Sequence, residues 1–257
     1  YDKAAFMTAS KLGKRVSVSE STVVRFAAEL GYDGYPSMQK SLQKMIRNRL
    51  TSVQRIEVAN DRLGDQDVLD MVLQSDIDKI RQTLDEIDRD SFEKATDAIV
   101  AARRIYIIGV RSAAAIATFL GFYFNLIFDN VVMITANTPS EVFESLLRVG
   151  PEDVIVGVSF PRYSSRAVQA VSFARDRGAT TIAITDSEAS PLAQISQYTL
   201  KARSDMASFV DSLVAPLSLV NALLVAVSRK KNDDLANTFE DLEKIWEEYG
   251  VYEKVQE

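Results

Sequence analysis

Four short apolar runs, at residues 105–108, 131–134, 154–158 and 181–184, punctuate the middle of this chain and limit what it can fold into. Each is too short for a helix and rich in β-branched residues, the pattern of a strand buried on both faces. Helical stretches separate them, at about 113–128, 140–148 and 165–177, the last stopped by Gly178. Strand and helix in alternation predict an α/β fold, a doubly wound parallel sheet with helices on both sides. In such sheets ligands sit beyond the carboxyl ends of the strands.

Those ends are rich in hydroxyls. The first loop reads Gly109-Val110-Arg111-Ser112, the third Ser159-Phe160-Pro161-Arg162-Tyr163-Ser164-Ser165, and the fourth Thr185-Asp186-Ser187, followed by Ser190-Pro191-Leu192. Each leads into a helix, whose free amides and positive dipole end favour an anion. Ser112, Ser159 and Ser164 are expected to converge on one phosphate, with Arg111 or Arg162 adding charge. A lone hydroxyl here is more often a helix cap, but three similarly equipped loops on one sheet edge favour a site.

The 257 residues include no cysteine and no histidine. That excludes disulfides, thiolate nucleophiles, a Ser-His-Asp triad and imidazole chemistry, and no metal or cofactor is expected. The longest apolar stretches, 113–128 and 213–227, are interrupted by Gly121, Asn125, Pro216 and Asn221. They fall short of the roughly 20 residues of a membrane span. With no signal peptide visible, a cytoplasmic location is expected. The start, Tyr1-Asp2-Lys3, is not an initiator Met, so a few native residues are expected before it.

Net charge is −6, but it is unevenly divided. Residues 1–56 hold ten Lys/Arg against four Asp/Glu, hence +6, which leaves −12 for the rest. A basic first fifth on an acidic body suggests a small polyanion-binding module, though a merely solvated basic face explains the charge equally well. Three short amphipathic helices are expected in it. Ala5, Ala9, Leu12 and Val16 mark the first, with Thr8 as a possible cap. Val23, Phe26, Ala27 and Leu30 form the inner face of the second, from about Glu20, stopped by Gly31. Met38, Leu42, Met45 and Ile46 line the third, which opens at Pro36.

A helix-turn-helix requires a small residue where its helices cross, a tight turn, and a polar outer face on the second helix. Gly13 meets the first need and Ser17-Val18-Ser19 the second. Ser19, Ser21, Thr22 and Arg25 supply hydroxyl and guanidinium donors for phosphates or base edges. Plain capping by Ser19 and Ser21 remains the alternative.

These residues carry a resemblance. The run from Ser17 to Phe26, followed by Leu30-Gly31-Tyr32-Asp33-Gly34-Tyr35-Pro36, resembles the helix-turn-helix signature of the RpiR family of bacterial sugar-metabolism regulators over about 8–49. That family has one more helix ahead of this point. The sheet domain resembles the SIS (sugar isomerase) domain that RpiR proteins carry, over about 91–229. Gly109 and Ser112 fall on its first-loop motif. Ser159 to Ser164 fall on its third-strand motif Ser-x-Ser-Gly-x-Thr, with Pro161 and Arg162 in place of the inner Ser and Gly. Thr185-Asp186 with Ser190-Pro191-Leu192 also fits.

The resemblance implies a DNA-binding transcriptional regulator whose SIS domain senses a phosphorylated sugar or related metabolite without catalysis. Its implied partners are a double-stranded operator, a phosphosugar effector and a second copy in a homodimer or higher oligomer. A sugar-phosphate isomerase or lyase is the alternative, with Glu141 or Glu144 as base; a mere dimerisation scaffold is a third. The organisation expected is a helix-turn-helix domain at 1–56, a helical linker at 57–90 along Val68, Met71, Val72, Ile77, Ile80, Leu84 and Ile87, a SIS domain at 91–231 and a helical tail at 232–257. A capping box at Asp90-Ser91-Phe92-Glu93 is expected to open the SIS domain. A helix kinked at Pro216, about 208–227, is expected near its end.

Overall fold

The computed structural model describes residues 4–46, 50–63, 67–135, 138–205 and 210–253. The chain divides into two compact units, Tyr1–Ser75 with Asp205–Ser212, and Asp76–Ser204 with Leu213–Glu257.

The first unit is helical: α1 (Ala9–Arg15), α2 (Glu20–Glu29), α3 (Tyr35–Ile46), α4 (Ser52–Leu63) and the start of α5 (Val68–Glu86). Thr8 caps α1, its hydroxyl accepting from the Lys11 amide at 3.2 Å. Gly13 lies where α1 meets the turn. A Cβ there would come within 2.8 Å of the Val18 carbonyl, so only glycine allows the approach. Ser17 takes a left-handed φ of 59° and closes the turn, with the Val18 amide bonded to the Gly13 carbonyl. Val23, Ala27, Tyr35 and Met38 form a small core, against which Leu12 and Leu42 pack. Tyr35 fastens the segment before α1 by donating its hydroxyl to the Met7 carbonyl at 2.7 Å. The expected inner faces are only partly buried. Phe26, Leu30 and Met45 are 53%, 55% and 69% exposed, because the core is one Val23–Ala27 row wide and these residues flank it.

The expected linker is two helices, α4 and α5, and on α5 the side chains of Val68, Ile77, Ile80 and Leu84 are exposed. On α4, Arg55 is 2% exposed and pairs with Asp211 at 2.9 Å.

In the second unit α6 (Arg89–Ala101) begins earlier than the expected capping box. Asp88 is the cap, accepting from the Asp90 and Ser91 amides. The extended backbone of Asp88 suits that role, and Asp90 instead pairs with Lys94 at 2.7 Å. All five strands are parallel, in the order β2-β1-β3-β4-β5. The four expected strands are β1 (Ile105–Gly109), β2 (Val131–Ile134), β3 (Val154–Val158) and β4 (Thr180–Thr185). The fifth, β5 (Tyr198–Lys201), was not expected. This edge strand alternates polar and apolar residues instead of forming an apolar run.

Side chains alternate across the sheet into two cores. Ile105, Ile107, Val156 and Ile182 face α6, α7 (Ala113–Ile127) and α10 (Val214–Lys230). Tyr106, Ile108, Ile155 and Ala183 face α8 (Pro139–Ser145) and α9 (Ser165–Asp176). Pro216 is the third residue of α10 and makes no interior kink, since a first-turn amide has no helical partner to lose. The expected helix, about 208–227, starts only at Val214: residues 208–209 lie outside the described residues and residues 210–213 are not helical. The tail forms α11 (Asn232–Glu248), whose Leu235, Phe239, Leu242 and Trp246 are half-buried while Ile245 is exposed. Among the described residues no helix is long and apolar enough to cross a membrane.

Candidate functional site

In the helical unit the outer face of α2 carries the candidate nucleic-acid contacts. Ser19 is the α2 cap. Its hydroxyl accepts from the Thr22 amide at 3.2 Å and lies 2.8 Å from both the Ser21 and Thr22 hydroxyls. Ser21, Thr22 and Arg25 are exposed on the side away from Val23 and Ala27. Capping and contact are compatible here, because a hydroxyl that accepts from an amide retains its own proton to donate. Lys11, Lys14 and Arg15 of α1 are exposed as well, so hydroxyls and cations share the surface of this unit.

In the sheet unit the chain runs from β1 outward to β2 and then returns across β1 to β3, which makes the carboxyl ends of β1 and β3 the switch point. Gly109 pairs in register with Val158, so the loops after these strands leave side by side. Gly109 is required by packing: an added Cβ would lie 2.6 Å from the Ala113 carbonyl oxygen and 2.7 Å from the Ala117 Cβ. Arg111 adopts a left-handed φ of 61° and is exposed. Ser112 precedes α7 with helical backbone angles and makes no side-chain cap bond, so its exposed hydroxyl is not used to hold the helix.

After β3, the buried Ser159 hydroxyl accepts from the Ser164 amide at 3.2 Å and closes the loop. Ser164 caps α9 by accepting from the Ala167 amide at 3.4 Å. Between them Pro161 is buried and Arg162 is exposed. Tyr163 donates its hydroxyl to Asp186 at 2.9 Å, linking this loop to the one after β4.

The other two candidates sit deeper. Thr185 and Ser190 are both fully buried. Ser190 accepts from the Ala193 amide at 3.1 Å and so holds the short turn Ala193–Ile195, a scaffold role beneath the site. Glu141, weighed as a base, closes a capping box with Thr138 at the start of α8, and Glu144 is exposed on that helix.

A cavity of about 180 Å³ opens at the ends of β1 and β2, bordered by Gly109, Val110, Arg111, Thr118, Thr135 and Arg166. The sequence does not single out Arg166, two residues beyond the Ser164 cap, because its place at this cavity depends on the fold. A signal was present: a cation in the first turn of a helix opposes the helix dipole and calls for a reason.

The comparisons follow this geometry. The SIS domain model matches residues 98–226, and the model described as helix-turn-helix domain, rpiR family, matches residues 1–49. An uncharacterised HTH-type transcriptional regulator of Clostridium perfringens is 27% identical over 234 residues, covering 89% of this chain and 83% of the relative. The sugar isomerase domain of an RpiR transcription factor from Sphaerobacter thermophilus superposes with TM-score 0.65 at 29% identity, over 68% of this chain and 97% of that one. The Vibrio vulnificus NanR protein complexed with ManNAc-6P matches 97% of this chain and 88% of its own, with TM-score 0.64 and 21% identity.

Proposed function

The chain belongs to the RpiR family of helix-turn-helix regulators with a SIS domain, and from that premise we propose that it controls transcription by binding an operator through α2 while its sheet unit senses a phosphorylated sugar. Ser19, Ser21, Thr22 and Arg25 take the DNA contacts. Ser112, Ser159 and Ser164, with the first amides of α7 and α9, take the phosphate. Gly109 keeps the first loop close, Arg111 and Arg162 supply charge, and Thr185 and Ser190 support the floor. The observation that carries this reading is the exposed Ser112 hydroxyl, not used as a cap, in the loop after β1 at the switch point, in a chain whose other unit is a helix-turn-helix.

The SIS unit senses and does not catalyse. Isomerisation needs a base near the sugar carbon, and this chain has no histidine, while Glu141 is held in a capping box. The homologous NanR, complexed with a phosphosugar, supports the ligand class. Two copies would read a two-fold operator, and effector binding would change operator affinity by favouring one arrangement of the dimer.

The test is fluorescence anisotropy on DNA upstream of the gene, across salt concentrations, with and without phosphosugars. Salt-sensitive binding that an effector shifts is expected, with the shift lost in Ser112→Ala while DNA affinity stays. Binding indifferent to salt and to every phosphosugar would overturn the reading.

A further inference from the structure

The helix α5 turns its two kinds of side chain the opposite way to an ordinary surface helix. The residues it buries are Lys79 and Thr83, each 8% exposed, and the Thr83 hydroxyl accepts from the Arg203 amide at 2.9 Å. Near the end of the helix Glu86 pairs with the Arg203 side chain. Its large apolar residues face outward instead: Ile77, Ile80 and Leu84 are 48%, 38% and 59% exposed. A helix gains stability by covering its apolar stripe, so polar anchoring beside an open apolar stripe calls for a further surface to cover it. A cavity of about 300 Å³ lies along this stripe, bordered by Ile80 and Leu84 of α5 and by Ala215, Ser218 and Ala222 of α10. These small residues leave room for another helix beside α5.

The pattern on α5 matches its own reverse. Ile77, Ile80, Leu84 and Ile87 recur at steps of three, four and three, the spacing of a seam between helices. About a two-fold axis near position 82, Ile77 meets Ile87 and Ile80 meets Leu84 of an identical helix running the other way. On one flank of the stripe the exposed Asp78, Arg81 and Asp85 alternate in sign. An antiparallel pair sets this flank against its own copy, which brings Arg81 of each chain towards Asp85 of the other. A parallel pair would need the other flank, where Lys79 and Thr83 are already buried.

We propose that a second copy of this chain covers the groove. The α5 helices of the two copies lie antiparallel, over the small residues of α10, and form an isologous contact. This rests on the two-copy reading above and gives it a surface.

The test is sedimentation equilibrium of the full chain over a range of concentrations, with the wild type expected to form dimers. Leu84→Glu puts a charge into the seam and weakens the dimer roughly a hundredfold or more, with helix content by far-ultraviolet circular dichroism unchanged. Arg81→Asp weakens it about tenfold, since the symmetry counts each contact twice, and adding Asp85→Arg restores affinity to within about threefold of the wild type. The swap alters exposed residues alone, so it decides the matter where Leu84→Glu disturbs the helix. A dimer that Leu84→Glu leaves intact overturns this surface while the two-copy reading stands. A swap that fails to rescue Arg81→Asp overturns the antiparallel pairing. A wild-type chain that stays monomeric throughout overturns both the surface and the two-copy reading.

Discussion

The two units are built to different densities. The sheet unit fills both faces of five strands, and residues such as Ile107, Ile155 and Ile182 are completely buried. The helical unit rests on Val23, Ala27, Tyr35 and Met38, a second small cluster at Leu50 and Val58, and polar ties such as Tyr35 and Gln39 to the Met7 carbonyl. It leaves Val16, Val24, Phe26 and Leu30 exposed. Regions with little buried apolar surface open at lower free energy than dense cores, so the DNA-reading unit is the more easily reshaped of the two. A rigid sensor beside an adaptable reader suits a protein in which a small ligand biases a larger arrangement.

The sharpest way to break this contrast is to cut into the dense side. Ile107→Ala removes buried atoms from the centre of the sheet and should cost about 3–4 kcal/mol, measured by urea denaturation. A loss under about 1 kcal/mol would mean that the sheet core is as loose as the helical one. On the lean side the largest effect belongs to Arg55. Its buried guanidinium holds Asp211 through one nitrogen, while Nε and the other terminal nitrogen have no hydrogen-bond partner among the described residues. Arg55→Met should cost about 3 kcal/mol by removing the guanidinium that offsets the charge of the largely buried Asp211, and pairing it with Asp211→Leu should recover most of that loss. If the double variant is no better than the single one, the ion pair is not what holds α4.

Much of this architecture was legible because it is written in short-range patterns. The strands β1 to β4 are continuous apolar runs, and Thr8, Ser19 and Gly31 act within a few residues of themselves. What escaped depends on partners distant in sequence. Arg55 meets Asp211 across 156 positions, and a lone arginine in an amphipathic helix gives no sign of it. The exposure of Phe26 and Met45 could not be read either, since periodicity shows which face is apolar but not how much of it is covered. At the site, the serines announced themselves by family motif and loop position. Arg166 did not, because its place beside a cavity depends on β1, β2, α7, α8 and α9 coming together.

Two smaller perturbations sharpen the contrast inside the helical unit. Gly13→Ala forces a methyl to 2.8 Å from the Val18 carbonyl, a backbone atom with little freedom to yield. A cost of about 1–3 kcal/mol is expected, with operator affinity lost and effector affinity kept. Parallel anisotropy and calorimetry measure the two, and a joint loss would show that the units do not fold separately.

The smallest effect is expected at Ser17, four residues on. Its left-handed φ of 59° is strained for serine and natural for glycine. Against the relief of that strain stands the extra freedom glycine has in the unfolded chain, so the gain from Ser17→Gly should be at most about 1 kcal/mol. The readout is the Tm of the helical unit, followed by near-ultraviolet circular dichroism of its tyrosines where the sheet unit has not begun to melt. A clear fall in Tm would mean that the serine side chain stabilises the turn by more than its backbone strain costs.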